Sequence, residues 1–240
     1  MSDWEKIWNK REFNEAKNYE YNGYKFKNED EYDKFIFELT KNIEIKNNQK
    51  ILDIGCGNGS LMNKLFKNKN IKNYELTGID FCIKNIQYAN LNYKGTFITH
   101  NIKDTLPFED NTFDVILCIS TLFYLETEKE LINVLNEIDR VGKEDCIIFL
   151  GNCMDFDKKH IADKLRQDTH PLQSNHLYIK KNILIDYYKN KKINITDLED
   201  LNMGFYSGQK YKFNMLIEEI PEINIGIDFH DTLSYDIDFI

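Results

Sequence analysis

The chain has 240 residues, 42% hydrophobic and 13% aromatic, which suits one globular α/β domain with a substantial core and excludes a disordered segment. A formal net charge of −9 with no block of lysine or arginine argues against a nucleic-acid partner and for a small substrate. No apolar run approaches the roughly 18 residues of a membrane span, the N-terminus lacks a signal-peptide core, and the five cysteines show neither C-x-x-C nor Cys/His metal spacing. The expectation is a cytoplasmic protein with free thiols, no membrane contact and no metal.

In chain order, residues 1–28 are polar and aromatic, with Trp4, Trp8, Phe13, Tyr19 and Tyr21 among them. Asn28 before Glu29, Asp30 and Glu31 supplies a helix start, and Tyr32, Phe35, Ile36 and Leu39 recur at helical spacing, predicting a helix near 29–43. Residues 50–61 carry the chemistry. An apolar run holds Asp53 at its end, the turn Gly55-Cys56-Gly57-Asn58-Gly59 follows, and Leu61, Leu65 and Phe66 resume a helical pattern. This reads as a buried parallel strand, a tight loop and a helix N-terminus. Glycine tolerates positive φ and lets a ligand approach the backbone, while the helix start offers N–H donors and a positive dipole end. A dinucleotide loop would read G-x-G-x-x-G, but Ser60 holds the third glycine's place and Gly59 comes one residue early. Asp53 would also repel a pyrophosphate, so a cationic ligand fits better than NAD.

This D-x-G-x-G-x-G run resembles motif I of the class I S-adenosylmethionine (SAM)-dependent methyltransferases. The resemblance implies that Gly55, Cys56, Gly57 and Gly59 pack against the methionine and ribose of SAM, with Asp53 answering the α-ammonium directly or through water. It implies a Rossmann-like fold: a doubly wound, seven-stranded, mostly parallel sheet whose antiparallel last strand closes the edge. It further implies that the N-terminal arm folds over the site as a lid, with Trp8 and Arg11 as its cofactor-facing residues.

The second strand, near 74–81, ends in Asp80, about twenty residues beyond the glycine loop, where a doubly wound fold places a carboxylate to accept both ribose hydroxyls. Phe81 then lies beside the adenine. A helix near 82–92 leads to a third strand at 96–100, and the run Leu106-Pro107-Phe108 to Phe113-Asp114 is familiar in small-molecule methyltransferases. By that resemblance the third strand's end reads the adenine amino group. Asn101 with the Ile102 N–H is the match, and Asp104 competes with it. The resemblance also implies that the end of the fourth strand, 113–120, lines the methionine end, often by backbone carbonyls, with Cys118 and Ile119 as the matching positions. Ile119-Ser120-Thr121-Leu122 stands where base- and amide-nitrogen enzymes show [N/D]-P-P-[Y/F], which argues against adenine-N6 chemistry. Thr127 and Glu130 form a capping box before the stripe Leu131, Val134, Leu135 and Ile138, and a fifth strand follows at 146–153. Strands alternating with helices over 50–154 demand a mostly parallel sheet with ligand at its carboxyl ends.

No internal repeat or linker divides the chain. One domain is expected, with an arm at 1–45, a SAM-binding core at 46–154, an acceptor segment at 155–219 and an extension at 220–240. His160, His170 and His176 cluster in the acceptor segment. Histidine titrates near pH 6.5 and can take a hydroxyl proton as a methyl arrives, so His176 and His170 are candidate bases and Tyr178 a candidate orienting residue. Arg166 hints at an anionic acceptor. A helix at 181–190 and strands at 192–198 and 211–217 complete the fold. The acidic, apolar tail packs along the sheet or mediates a dimer, leaving monomer and homodimer both open. The expected reaction is methyl transfer to a hydroxyl of a small polar metabolite, such as a sugar or nucleotide-linked precursor. The alternatives are C- or N-methylation of a lipid-like or amine substrate, or a non-catalytic SAM-binding protein.

Overall fold

The computed structural model describes residues 3–10, 26–166, 176–201 and 207–220. Its centre is a seven-stranded sheet: β1 Gln49–Ile54, β2 Tyr74–Asp80, β3 Thr96–Thr99, β4 Phe113–Ile119, β5 Gly142–Met154, β6 Lys192–Asp197 and β7 Lys212–Glu218. The spatial order is β3-β2-β1-β4-β5-β7-β6. The first five strands pair in parallel, and β7 runs antiparallel to both its neighbours. The order reverses between β1 and β4, which opens a crevice at their carboxyl ends, the usual ligand position in such sheets.

The last strand is antiparallel as expected, but it inserts between β5 and β6 and leaves β6 as the margin. Burial gives the reason. β7 is buried along nearly its whole length, with Phe213, Met215 and Ile217 in the core, whereas Lys192, Asn194 and Thr196 make β6 a polar strand suited to an edge. At the opposite margin Asn90 seals β3. Its carboxamide donates to the Phe97 carbonyl (2.9 Å) and accepts from the Phe97 N–H (3.2 Å).

Helices cover both faces. On one lie α2 Glu29–Thr40, α3 Ser60–Asn68 and α4 Ile83–Asn92, packed on Ile51, Val115 and Leu117. On the other, α5 Glu128–Val141 and α7 Lys181–Tyr187 pack on Leu52, Ile54, Ile116 and Cys118. Alternate strand residues thus feed opposite layers, the period-two rule of a pleated strand. Among the described residues, α1 Asp3–Lys10 and α6 Lys159–Arg166 are the remaining α-helices. The expected start signals operate: Asn28 accepts from the Glu31 N–H (3.0 Å), and Thr127 accepts from the Glu130 N–H (3.1 Å). Glu130 reaches back to the N–H of Glu126 (2.7 Å), one residue before the cap. All five cysteines are buried free thiols. Among the described residues no helix is long and apolar enough to cross a membrane.

Candidate active site

β1 delivers Asp53 to the sheet's carboxyl margin, and the chain then turns through Gly55 and Gly57 at φ +74° and +55°. The N–H groups of Gly55 and Cys56 both donate to the Ile79 carbonyl (2.8 and 2.9 Å), tying the loop to β2. A Cβ on Gly55 would strike the side chain of Thr121, whose hydroxyl contacts the carbonyls of Ile54 (3.2 Å) and Ile119 (3.0 Å). Loop and β4 end therefore meet without a gap, and only glycine meets both the φ and the clearance.

Asp80, at the end of β2, braces this loop. Its Oδ2 accepts from the Gly57 N–H (3.0 Å), and its Oδ1 accepts from the Cys82 N–H (2.8 Å) and from Asn85 Nδ2 (3.3 Å). Burial raises the Asp80 pKa and these three donors oppose the rise. Asp53 is only 3% exposed, and no described cation lies within ion-pair distance of it. Burial, then the neighbouring charge of Asp80, push its carboxyl up to about 7.

The two acids border a cleft of about 960 Å³, counting its open mouth. Its walls also include Gly55, Cys56 and Gly57 from the loop, Phe81 and Asn85 after β2, Asn101 to Lys103 after β3, and Ile119 to Thr121 after β4. Trp8, Leu61, Tyr124 and Leu125 complete it. Trp8 of α1 is 7% exposed and meets Tyr124 edge-to-face, with ring centroids 5.9 Å apart, so α1 brings one aromatic ring to the cleft wall. Asn101 lines the wall, while Asp104, its rival, is exposed to solvent. Asn101 Oδ1 accepts from the Lys103 N–H (3.0 Å).

Of the residues expected at the site, Trp8, Asp53, Gly55, Cys56, Gly57, Asp80, Phe81, Asn101, Ile102 and Ile119 converge here. Gly59 does not line the cleft. It precedes α3 at φ +79°, where a Cβ would lie 3.0 Å from the Tyr93 ring, so it seats α3 against α4. Cys118 points into the core under α5, one residue out of phase with Ile119. His176 and Tyr178 lie outside the wall. The His176 ring packs 5.1 Å from Phe123 and 5.8 Å edge-on from Tyr124, and Lys159 Nζ sits 5.5 Å over Tyr178. His176 therefore stands behind Tyr124, a wall residue. Arg11 and His170 fall outside the described residues.

The sequence reading missed Leu61, Asn85, Lys103, Ser120, Thr121, Tyr124 and Leu125. Ser120 and Thr121 follow a strand it had placed, and its comparison with the [N/D]-P-P-[Y/F] motif already pointed there. Asn85 had one signal: a polar residue on the first turn of a helix that starts just after Asp80.

A family model described as a methyltransferase domain matches residues 45–192. The chain belongs to this methyltransferase family, whose members use SAM. An uncharacterized protein of Methanocaldococcus jannaschii is 36% identical over 115 residues, a stretch covering 46% of this chain and 45% of that protein, so the match spans under half of the relative. A solved protein of Pyrococcus horikoshii OT3 superposes with a TM-score of 0.61 at 16% identity, covering 92% of this chain and all of the other. The plantazolicin methyltransferase BpumL, solved with S-adenosylhomocysteine (SAH), superposes at 0.53 with 20% identity, covering 79% and 82% of the two chains. These likenesses between structures speak to the fold.

Proposed function

We propose that this methyltransferase holds SAM along the ends of β1, β2, β3 and β4 and passes its methyl group to a hydroxyl oxygen of a small polar metabolite entering beside Trp8 and Tyr124. Asp53 carries the cofactor half of this reading. It is a buried acid, raised toward neutrality, without a described cation, at the end of the glycine-loop strand. Such a group suits an α-ammonium, whose positive charge would stabilise the carboxylate that burial disfavours. Asp80 offers an acceptor to the ribose, Phe81 a face to the adenine, and Asn101 with the Ile102 N–H an acceptor and a donor to the base. Trp8 shields the mouth.

Once bound, the cofactor supplies an electrophilic methyl on a sulfonium. The protein's share is alignment, exclusion of water and the handling of one proton. The hydroxyl preference is supported by the polar wall of Ser120 and Thr121, the acidic overall charge and the histidine behind Tyr124. A second reading, an amine or carbon acceptor, has its own support: Trp8, Ile119, Tyr124 and Leu125 are aromatic or apolar, and no described imidazole lines the cleft.

Thermal shift with SAM, SAH and NAD tests the cofactor: stabilisation by SAM and SAH is expected, and stabilisation by NAD alone would reject the reading. Transfer of a labelled methyl from SAM into a cell metabolite extract tests the acceptor. Carbon NMR then separates an O-methyl from an N-methyl or C-methyl product.

A further inference from the structure

A carboxylate offers about four lone-pair sites on its two oxygens. Asp80 has already committed three: Oδ1 to the Cys82 N–H and Asn85 Nδ2, and Oδ2 to the Gly57 N–H. One site remains, on Oδ2. A vicinal diol brings two O–H donors, so the expected grip of both hydroxyls by Asp80 alone falls one acceptor short.

The missing acceptor stands beside it. Asn85 borders the cleft and is 2% exposed, and its Oδ1 is a buried oxygen with no hydrogen-bond partner. The carboxamide cannot be turned end for end, since that would set its oxygen against the Asp80 carboxylate. The orphan oxygen is therefore forced away from Asp80. Because Asn85 lines the cleft, a donor on a bound ligand is the partner open to this oxygen. A buried acceptor without a donor is a standing penalty that a ligand donor removes.

We propose that the ribose diol of the bound nucleoside is divided between two residues, one hydroxyl donating to Asp80 Oδ2 and the other to Asn85 Oδ1. Asn85 thus has two tasks, bracing the acid with its nitrogen and reading the sugar with its oxygen. The inference rests on the reading of the cleft as a SAM site.

The test is calorimetric titration of SAH, 2′-deoxy-SAH and 3′-deoxy-SAH into the wild-type protein, Asn85→Ala and Asn85→Ser, each checked for a wild-type melting profile. The serine variant carries the test should the alanine variant fail to fold. Wild type is expected to lose about tenfold in affinity with each deoxy analogue, the scale of one hydrogen bond. Each variant is expected to bind SAH about tenfold more weakly. One of the two analogues should then bind the variant within twofold of SAH, because its missing hydroxyl has lost its acceptor already, while the other keeps its full penalty. Wild-type affinity for SAH in both variants, or equal penalties for both analogues in wild type and variants, would overturn the assignment of Asn85. Failure of SAH to bind the wild-type protein would overturn the SAM reading as well, and so is told apart from failure of Asn85 alone.

Discussion

The β1-β2-β3 side of the cleft and the side formed by Trp8, Tyr124 and His176 are built by different means. On the first, hydrogen bonds to backbone groups hold the loop and the acid: the glycine loop is tied to Ile79, and Asp80 is tied to Gly57 and Cys82. On the second, ring contacts join separate stretches of the chain, Trp8 to Tyr124 and Tyr124 to His176. Backbone bonds admit one geometry, whereas ring contacts tolerate sliding and substitution. A fixed half suits a cofactor that never changes, and a packed half suits an acceptor that differs from enzyme to enzyme.

Four perturbations, taken from the largest effect down, would break or sharpen this contrast. Gly55→Val meets both a forbidden φ and the Thr121 side chain, so denaturant unfolding should show a loss of about 3 kcal/mol, with SAH binding abolished. A variant that binds and unfolds as wild type would show the loop to be less constrained than its geometry requires. His176→Ala removes the ring that backs Tyr124 and should lower kcat about tenfold, while SAH affinity stays within about twofold. A loss of about a hundredfold or more, the usual weight of a general base, would give the imidazole a direct part in the chemistry.

Asp53→Asn should weaken SAM about tenfold, and the pH dependence fixes the sign. Burial and the charge of Asp80 push the Asp53 carboxyl up to about 7, against 3.8 for an ordinary aspartate. Between those values the folded state holds a proton that the unfolded state has released. The group's contribution to stability is thus full below about pH 4 and is lost as pH rises through 7. A cationic ligand requires the ionised form, so the melting-temperature gain from SAM should grow from pH 6 to pH 8 and flatten in Asp53→Asn. A gain that does not vary with pH in the wild type would separate Asp53 from the ammonium. Trp8→Ala should have the smallest effect, a rise of about fivefold in the KM for SAM with kcat within twofold, because one edge-to-face contact contributes about 1 kcal/mol. A loss of kcat as large as that of His176→Ala would give this lid residue a part in the chemistry.

The same contrast explains what could be read from the residues alone. Asp53, Gly55, Asp80, Asn101 and Ile119 each sit at the end of an apolar strand or in the turn that follows it, and strand ends in a parallel sheet converge by topology. Of the paired candidates Cys118 and Ile119, the pleat sends the Cys118 side chain to the opposite layer, which a list of adjacent positions does not distinguish. Asn85 and Tyr124 were missed because they lie on a helix turn and a short 3₁₀ turn, whose inward side is decided by how that turn docks. The insertion of β7 was not foreseen either. The chain says that β7 is the more apolar of the last two strands, but not that the hairpin enters the sheet by it.

Asn90 and Phe97 carry one more consequence. A bare lateral strand invites a second molecule to continue the ladder, a common route to fibrils and to accidental dimers. Here a side-chain amide occupies both main-chain groups of Phe97. A newcomer at that flank would have to strip away two hydrogen bonds before making its own, so any pairing of copies through β3 begins at a disadvantage.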